Sequence, residues 1–358
     1  MHHRRMLVEP QDRIRGCLLG GAVGDALGAP VEFMSTAEIR RDFGPEGLRE
    51  LAPAYGRIGA ITDDTQMTLF AAEGLIRAQV RFEGRGICHV PSVIHHALLR
   101  WLHTQGERAP ALELAPDGWL IQQKALFARR APGNTCLSSL RACRQFGDQA
   151  QNDSKGCGAI MRIAPIGLFA ALDPSQEVPR VYELACESAR STHAHRESTL
   201  SSGYFALVVA HLMQGATLPD AIAASGAPLE AQAGTEVVLG VIQAAQRLAS
   251  SNAPATPEAV ESLGGGWVAE EALAVALFCA LRAENFEQGV LLAANHGGDS
   301  DSTASLTGQL LGTLWGPAVI PQRWLARLEL REVIETVASD LFTAAKGAAS
   351  LGDRYPGW

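Results

Sequence analysis

Two short segments of the chain gather oxygen donors densely enough to do chemistry: Thr62-Asp63-Asp64-Thr65 and Gly297-Gly298-Asp299-Ser300-Asp301-Ser302-Thr303. Each precedes apolar residues at helical spacing, Met67, Leu69, Phe70, Leu75 and Ile76 after the first and Leu306, Leu310, Leu311 and Leu314 after the second. Ordinary helix capping accounts for one side-chain oxygen at such a place, because the first N–H groups of a helix lack backbone partners. It does not account for two carboxylates and flanking hydroxyls within four residues, twice over. Like charges this close repel unless a cation neutralises them. Donors of this kind suit hard cations such as Mg2+ or Mn2+, either one ion or two that share a carboxylate about 3.5–4 Å apart. Spacing alone leaves open whether the two segments meet in space.

Other residues invite chemical readings with bland alternatives beside them. Glu32, after Pro30 and Val31, reads as a solvated surface carboxylate or as a site residue. Asp25 reads as a buried acceptor or as a helix residue among polar neighbours. The small, flexible run Ser154-Lys155-Gly156-Cys157-Gly158-Ala159-Ile160-Met161-Arg162 allows backbone N–H groups to approach a pyrophosphate, and equally forms a tight turn before a core helix. His193 and His195 have no third nitrogen or sulfur at zinc-binding spacing, which favours locally hydrogen-bonded histidines. Arg129-Arg130 reads as a surface pair rather than a phosphate clamp, and Arg162 as an ion-pair former.

The elements that position these residues read as helices. Apolar residues recur at helical spacing over 12–27, 65–80, 92–103, 181–188, 200–213, 235–248, 270–284, 286–294, 303–315 and 327–346, with little β-branched alternation. Gly215 and Gly316-Pro317 supply stop signals. Residues 40–61, 106–118, 129–157 and 250–266 read as loops. Gly16, Gly20, Gly24 and Gly28 fall four apart and line one helical face. Each costs a helix roughly 1 kcal/mol against Ala, so their coincidence predicts a partner packed close to the backbone. A dinucleotide loop is the weaker account, since Gly-x-Gly-x-x-Gly is absent and no strand precedes.

Composition sets the outer bounds. The 358 residues are 47% hydrophobic and 19% charged, which excludes a disordered chain. The longest strictly apolar run, 272–281, is well short of the ~20 residues of a membrane span, so no membrane association is expected. A basic start at Met1-His2-His3-Arg4-Arg5-Met6 meets Glu9 and Asp12 with no apolar stretch between, so no signal peptide is expected. A net charge of −8 argues against a partner held by phosphate contacts, and nothing else points to nucleic acid. The seven cysteines form no Cys-x-x-Cys pair and read as reduced thiols of a cytoplasmic protein. One all-α domain spanning residues 1–358 is expected.

Gly24-Asp25-Ala26-Leu27-Gly28, Glu32, Thr62-Asp63-Asp64-Thr65, Gly158-Ala159-Ile160-Met161-Arg162, Thr192-His193-Ala194-His195 and Gly297-Gly298-Asp299-Ser300-Asp301-Ser302 occur in the order seen in the ADP-ribosylglycohydrolases. The chain resembles a bacterial member of that family, of the dinitrogenase-reductase-activating type, from about residue 12 to residue 316. The resemblance implies a compact multi-helix all-α fold with a dinuclear centre of two Mg2+ or Mn2+ ions. Carried over by position, the ligands are Thr62, Asp63, Asp64, Asp299, Asp301 and Ser302, with Asp301 as the bridge and Ser302 where some members have Thr. It places Glu32 at the metal site, with Asp63, Asp64 and Asp301 as its catalytic companions. It assigns Gly156, Cys157, Gly158, Ala159, Met161 and His193 to the substrate side. Relatives often carry Asn-Gly-Ser where this chain has Cys157-Gly158-Ala159, so side-chain contacts to a ligand are lost there. The implied reaction is hydrolysis of the bond joining ADP-ribose to an arginine of a modified protein. Alternatives are an O-linked or serine-linked ADP-ribose substrate, an immunity protein that blocks a cognate ADP-ribosyltransferase toxin through loops 40–61 and 106–118, and a scaffold with a dead site.

Overall fold

The computed structural model describes residues 8–109, 117–173 and 177–357. Seventeen α-helices carry most of them. In chain order they are α1 (Pro10–Gly28), α2 (Thr36–Phe43), α3 (Asp63–Arg85), α4 (Val90–Thr104), α5 (Asn134–Arg141), α6 (Ala164–Ala170), α7 (Val178–Arg190), α8 (Arg196–Met213), α9 (Leu218–Ala224) and α10 (Gly226–Glu230). They continue with α11 (Glu236–Ser250), α12 (Pro257–Glu261), α13 (Ala269–Arg282), α14 (Phe286–Ala294), α15 (Ser300–Trp315), α16 (Gln322–Leu325) and α17 (Arg331–Lys346). The only named strands among the described residues are β1 (Pro53–Ala54) and β2 (Arg57–Ile58), a two-residue antiparallel hairpin.

All ten segments with helical spacing lie in or across these helices. The run over 327–346 is shortened, because Leu330 adopts the left-handed conformation (φ 56°) and α17 starts only at Arg331. The expected loops 40–61, 129–157 and 250–266 contain the end of α2, all of α5 and all of α12. Most of loop 106–118, and the basic start of the chain, lie outside the described residues. Among the described residues no helix is long and apolar enough to cross a membrane.

α1 and α15 form the centre, and both are buried almost from end to end. A helix enclosed on all sides has no polar face to show, so neither carries a strong amphipathic pattern. They run antiparallel, and the expected close partner of the glycine face is α15. A Cβ placed on Gly16, Gly20 or Gly24 would lie 2.2, 2.3 or 2.0 Å from the carbonyl oxygen of Gly312, Gly308 or Ala304. On Gly28 it would lie 2.3 Å from the Cα of Asp301. The contact is reciprocal, since a Cβ on Gly308 would meet the Gly20 carbonyl at 2.1 Å. The C-terminal end of α1 is therefore held directly against the first turn of α15. Buried Ala, Leu and Val of α13, with Phe286 and Val290 of α14 and Ile334 and Leu341 of α17, close around this pair.

Gly24→Ala should destabilise the protein by about 1–3 kcal/mol, because backbone rather than a flexible side chain blocks the new methyl. Gly84→Ala on α3, with nothing within 4 Å of its Cβ position, should instead stabilise by about 0.5–1 kcal/mol. Urea denaturation of the two variants reads both signs.

Candidate metal centre

The two oxygen-rich segments do meet. Thr62 caps α3 and its hydroxyl accepts from the Asp64 N–H at 3.3 Å. Asp299 occupies the corresponding place before α15. Asp25, from the last turn of α1, anchors the first segment: both its oxygens accept from the Thr62 N–H at 3.0 Å, and Oδ2 also accepts from the Thr65 N–H at 3.1 Å and from the Thr65 hydroxyl. The buried-acceptor reading of Asp25 is thus the one seen. The charge of Asp301, in the second segment, bears on both Asp63 and Asp64. One oxygen from each of Glu32, Asp299 and Asp301 lies within 4.8 Å of the others, and all three residues are buried. The Gly133 N–H donates to Asp63 Oδ2 at 3.3 Å and the Ser302 N–H to Asp301 Oδ1 at 2.9 Å.

Six carboxylates, Asp25, Glu32, Asp63, Asp64, Asp299 and Asp301, are therefore buried together. Among the described residues no lysine, arginine or histidine forms an ion pair with any of them. Burial, followed by the charge of Asp301, pushes the Asp25 carboxyl up to about 7 and that of Glu32 up to about 10. The same two causes hold Asp63, Asp64 and Asp299 well above the usual carboxylate range. Glu32 Oε2 and Asp64 Oδ1 are buried with no hydrogen-bond partner. Leaving such acceptors unpaired is costly, and the helix N-termini of α3 and α15 offset only part of the negative charge. Hard oxygen donors, excess negative charge and unpaired acceptors together fit a divalent cation.

The glycine loop lies against this cluster. Gly156 pairs with Val268, the Cys157 N–H donates to the Trp267 carbonyl at 3.2 Å, and the Asp299 N–H donates to the Gly265 carbonyl at 2.7 Å. Residues 265–268, at and just past the end of the loop read over 250–266, thus clamp both the glycine loop and the start of α15. The Cys157 thiol donates to Asp299 Oδ2 at 2.8 Å, a contact that no sequence motif signals. Gly156, Cys157 and Gly158 are half-buried, whereas Ala159 and Met161 are buried and a short 3-10 turn, Ile160–Arg162, leads toward α6. The Met161 carbonyl accepts from the Gln309 amide at 2.9 Å and the Thr68 hydroxyl at 3.2 Å, which ties the loop to α15 and α3.

His193 lies under the loop, 2% exposed, with its ring 2.9 Å from the position a Gly158 Cβ would take. Burial and then Arg162 lower it to about 3, so it is neutral. Arg162 makes no ion pair among those described; it donates to the Gly158 carbonyl at 3.2 Å and the Thr192 hydroxyl at 2.7 Å. Arg129 is an exposed partner of Glu107 at 2.8 Å, but Arg130 corrects the surface-pair expectation. It is buried against Glu329 and donates to the Ile61 carbonyl at 2.8 Å, bracing the entry to α3. At the rim, Phe33 beside Glu32 stacks on Trp267 with ring centres 5.7 Å apart, and Phe33 is 74% exposed.

These shifts fix the sign of a pH dependence. Without a cation the folded chain keeps protons on Asp25 and Glu32 that the unfolded chain releases near pH 4. Stability of the metal-free protein should therefore fall as pH rises from about 4, with the Asp25 contribution fully lost above about 7. Urea midpoints measured with chelator should decline from about pH 5 to about pH 8, and added Mn2+ should restore the loss most at the upper end.

Known proteins resemble this chain over most of its length. The family model ADP-ribosylglycohydrolase matches residues 6–350. The chain is similar to ADP-ribosylarginine hydrolase Tri1 of Serratia proteamaculans, 28% identical over 94% of this chain and 81% of the relative. It is also similar to ADP-ribosyl-[dinitrogen reductase] glycohydrolase of Rhodospirillum rubrum, 27% identical over 89% and 91%. Among solved structures, an ADP-ribosylglycohydrolase-related protein complex superimposes with a TM-score of 0.68 and 30% identity, covering 95% of this chain and all of that one. These two relatives are named as hydrolases, one of ADP-ribosylarginine and one of ADP-ribosyl-dinitrogen reductase. With a match over nearly its whole length, the chain belongs to the ADP-ribosylglycohydrolase family.

Proposed function

We propose that this protein hydrolyses the N-glycosidic bond between ADP-ribose and an arginine side chain of a modified protein, using a divalent-cation centre at the junction of α1, α3 and α15. The observation that carries the reading is the buried cluster of six carboxylates with two unpaired oxygens. Its support from kinship is the similarity to hydrolases named for ADP-ribosylarginine. An arginine-linked substrate also suits the electrostatics, because its guanidinium is cationic and would be attracted by the carboxylates and the Phe33–Trp267 ring pair. No observation on the described residues favours the toxin-blocking reading.

In this proposal Thr62, Asp63, Asp64, Asp299, Asp301 and Ser302 would hold two Mg2+ or Mn2+ ions, in a single catalytic domain formed by the whole chain. Such ions supply Lewis-acid charge at the ribose hydroxyls and lower the pKa of a nearby water. The chain's own groups do the rest. Glu32, with Oε2 free, accepts the proton of the attacking water as its oxygen bonds to the anomeric carbon. The bond from that carbon to the arginine nitrogen breaks through an oxocarbenium-like transition state, whose positive charge the carboxylates stabilise. The proton then reaches the leaving nitrogen, which departs as guanidinium. Gly156, Cys157 and Gly158 form the substrate-side turn in this proposal, with the Cys157 N–H itself held by the Trp267 carbonyl. Ala159, Met161 and neutral His193, all buried, hold that loop in shape.

Release of ADP-ribose from an arginine-ADP-ribosylated protein should require Mg2+ or Mn2+ and stop with excess chelator. Glu32→Gln, assayed at saturating cation, should lower kcat by about 10²–10⁴-fold. Asp301→Ala should lose cation affinity as well, by about 100-fold or more. Release that persists in chelator, or full activity and cation affinity in Asp301→Ala, would contradict the proposal.

A further inference from the structure

The Cys157 side chain is not used by the proposed reaction, yet it touches the acidic cluster on two sides. Its sulfur lies 2.8 Å from Asp299 Oδ2 and 3.6 Å from the Ser302 hydroxyl. The backbone on either side is pinned, by the Gly156–Val268 pairing, by the Cys157 N–H on the Trp267 carbonyl, and by the Met161 N–H on the Cys157 carbonyl at 3.2 Å. The sulfur is thus fixed against the carboxylates rather than swinging on a mobile loop. A second observation points to a ligand here. Asp64, 2% exposed, has a buried oxygen without a hydrogen-bond partner, and its charge, after burial and Asp299, helps hold the Cys157 thiol well above its usual range.

We propose that the Cys157 sulfur is itself a metal ligand, making the Asp299–Ser302 side of the cluster a mixed sulfur–carboxylate site that favours thiophilic divalent cations such as Zn2+ and Cd2+. This rests on the reading of the cluster as a cation site. Donors at about 2.3 Å (sulfur) and 2.1 Å (oxygen) stand about 3.1–3.6 Å apart on adjacent positions of one ion, a range met by the 3.6 Å between Cys157 and Ser302 and reached by the 2.8 Å Cys157–Asp299 hydrogen bond once an ion replaces its proton. Thiolate raises affinity for borderline and soft ions far more than for Mg2+, which prefers oxygen throughout. As the sulfur–metal bond forms, the S–H bond breaks and its proton passes to solvent. The consequence is a centre that Zn2+ captures and holds against Mg2+.

Cd2+ serves as the probe, on the full chain. Wild-type protein should show the ultraviolet thiolate-to-Cd2+ charge-transfer band, and excess Mn2+ should displace it. Cys157→Ser should lack that band and bind Cd2+ about 10- to 100-fold more weakly, with Mn2+ affinity by calorimetry within about threefold of wild type. Equal Cd2+ affinity and an undiminished band in Cys157→Ser would overturn the proposal. Should the variant fail to fold, ¹¹³Cd NMR of the wild-type protein decides. A resonance shifted downfield by sulfur and displaced by Mn2+ supports the ligand, and an all-oxygen shift overturns it. Mn2+ binding that is intact with an all-oxygen Cd2+ site removes Cys157 alone, whereas absence of any divalent binding removes the cluster reading beneath it.

Discussion

Burial of like charge is the constraint on which this structure turns. Six carboxylates lie out of solvent at one junction of helices, and no basic side chain among the described residues pairs with them. Hydrogen bonding settles some of the difficulty: Asp25 accepts from Thr62 and Thr65, Asp63 from Gly133, and Asp301 from Ser302. These bonds go to the carboxylates that also fix the backbone. Glu32 and Asp64 keep unpaired oxygens. An arrangement that leaves acceptors unpaired and charges uncompensated is unstable by itself, and a bound divalent cation removes both penalties at once.

Such a cluster forms only if the backbone forces it, and the α1–α15 contact provides the force. Glycines at every fourth position let α1 approach α15 until carbonyls fill the space where Cβ atoms would stand. That approach sets Asp25 and the Gly28–Glu32 turn beside the first turn of α15, while Asp25 fixes the start of α3. Arg130 and Glu329 brace the same entry from the other side. Four glycines weaken α1 as an isolated helix by roughly 1 kcal/mol each, and enclosure by the surrounding helices offsets this. Helix stability is sacrificed for proximity at the site.

Much of this was legible in the sequence because it is local. Paired carboxylates at two helix starts, the fourfold glycine spacing and the long helices all write themselves in neighbouring residues. The short helices α2, α5, α6, α9, α10, α12 and α16 were not seen, since eight residues or fewer complete too few turns to establish a period. Arg130 was misjudged as a surface group because its partner Glu329 is remote in sequence. The clamp formed by residues 265–268 and the contact of Cys157 with Asp299 were invisible for the same reason. The family resemblance joined the two carboxylate segments where spacing could not; in the structure the charge of Asp301 bears on Asp63 and Asp64, while Glu32, Asp299 and Asp301 converge within 4.8 Å.

The most direct test of this account is anomalous diffraction from crystals of the protein grown with saturating Mn2+. The account requires anomalous scattering at the junction, ringed by Asp63, Asp64, Asp299 and Asp301, with the Glu32 carboxylate adjoining it. A saturated crystal with no anomalous peak there, and the carboxylates still packed together as neutral acids, would contradict it.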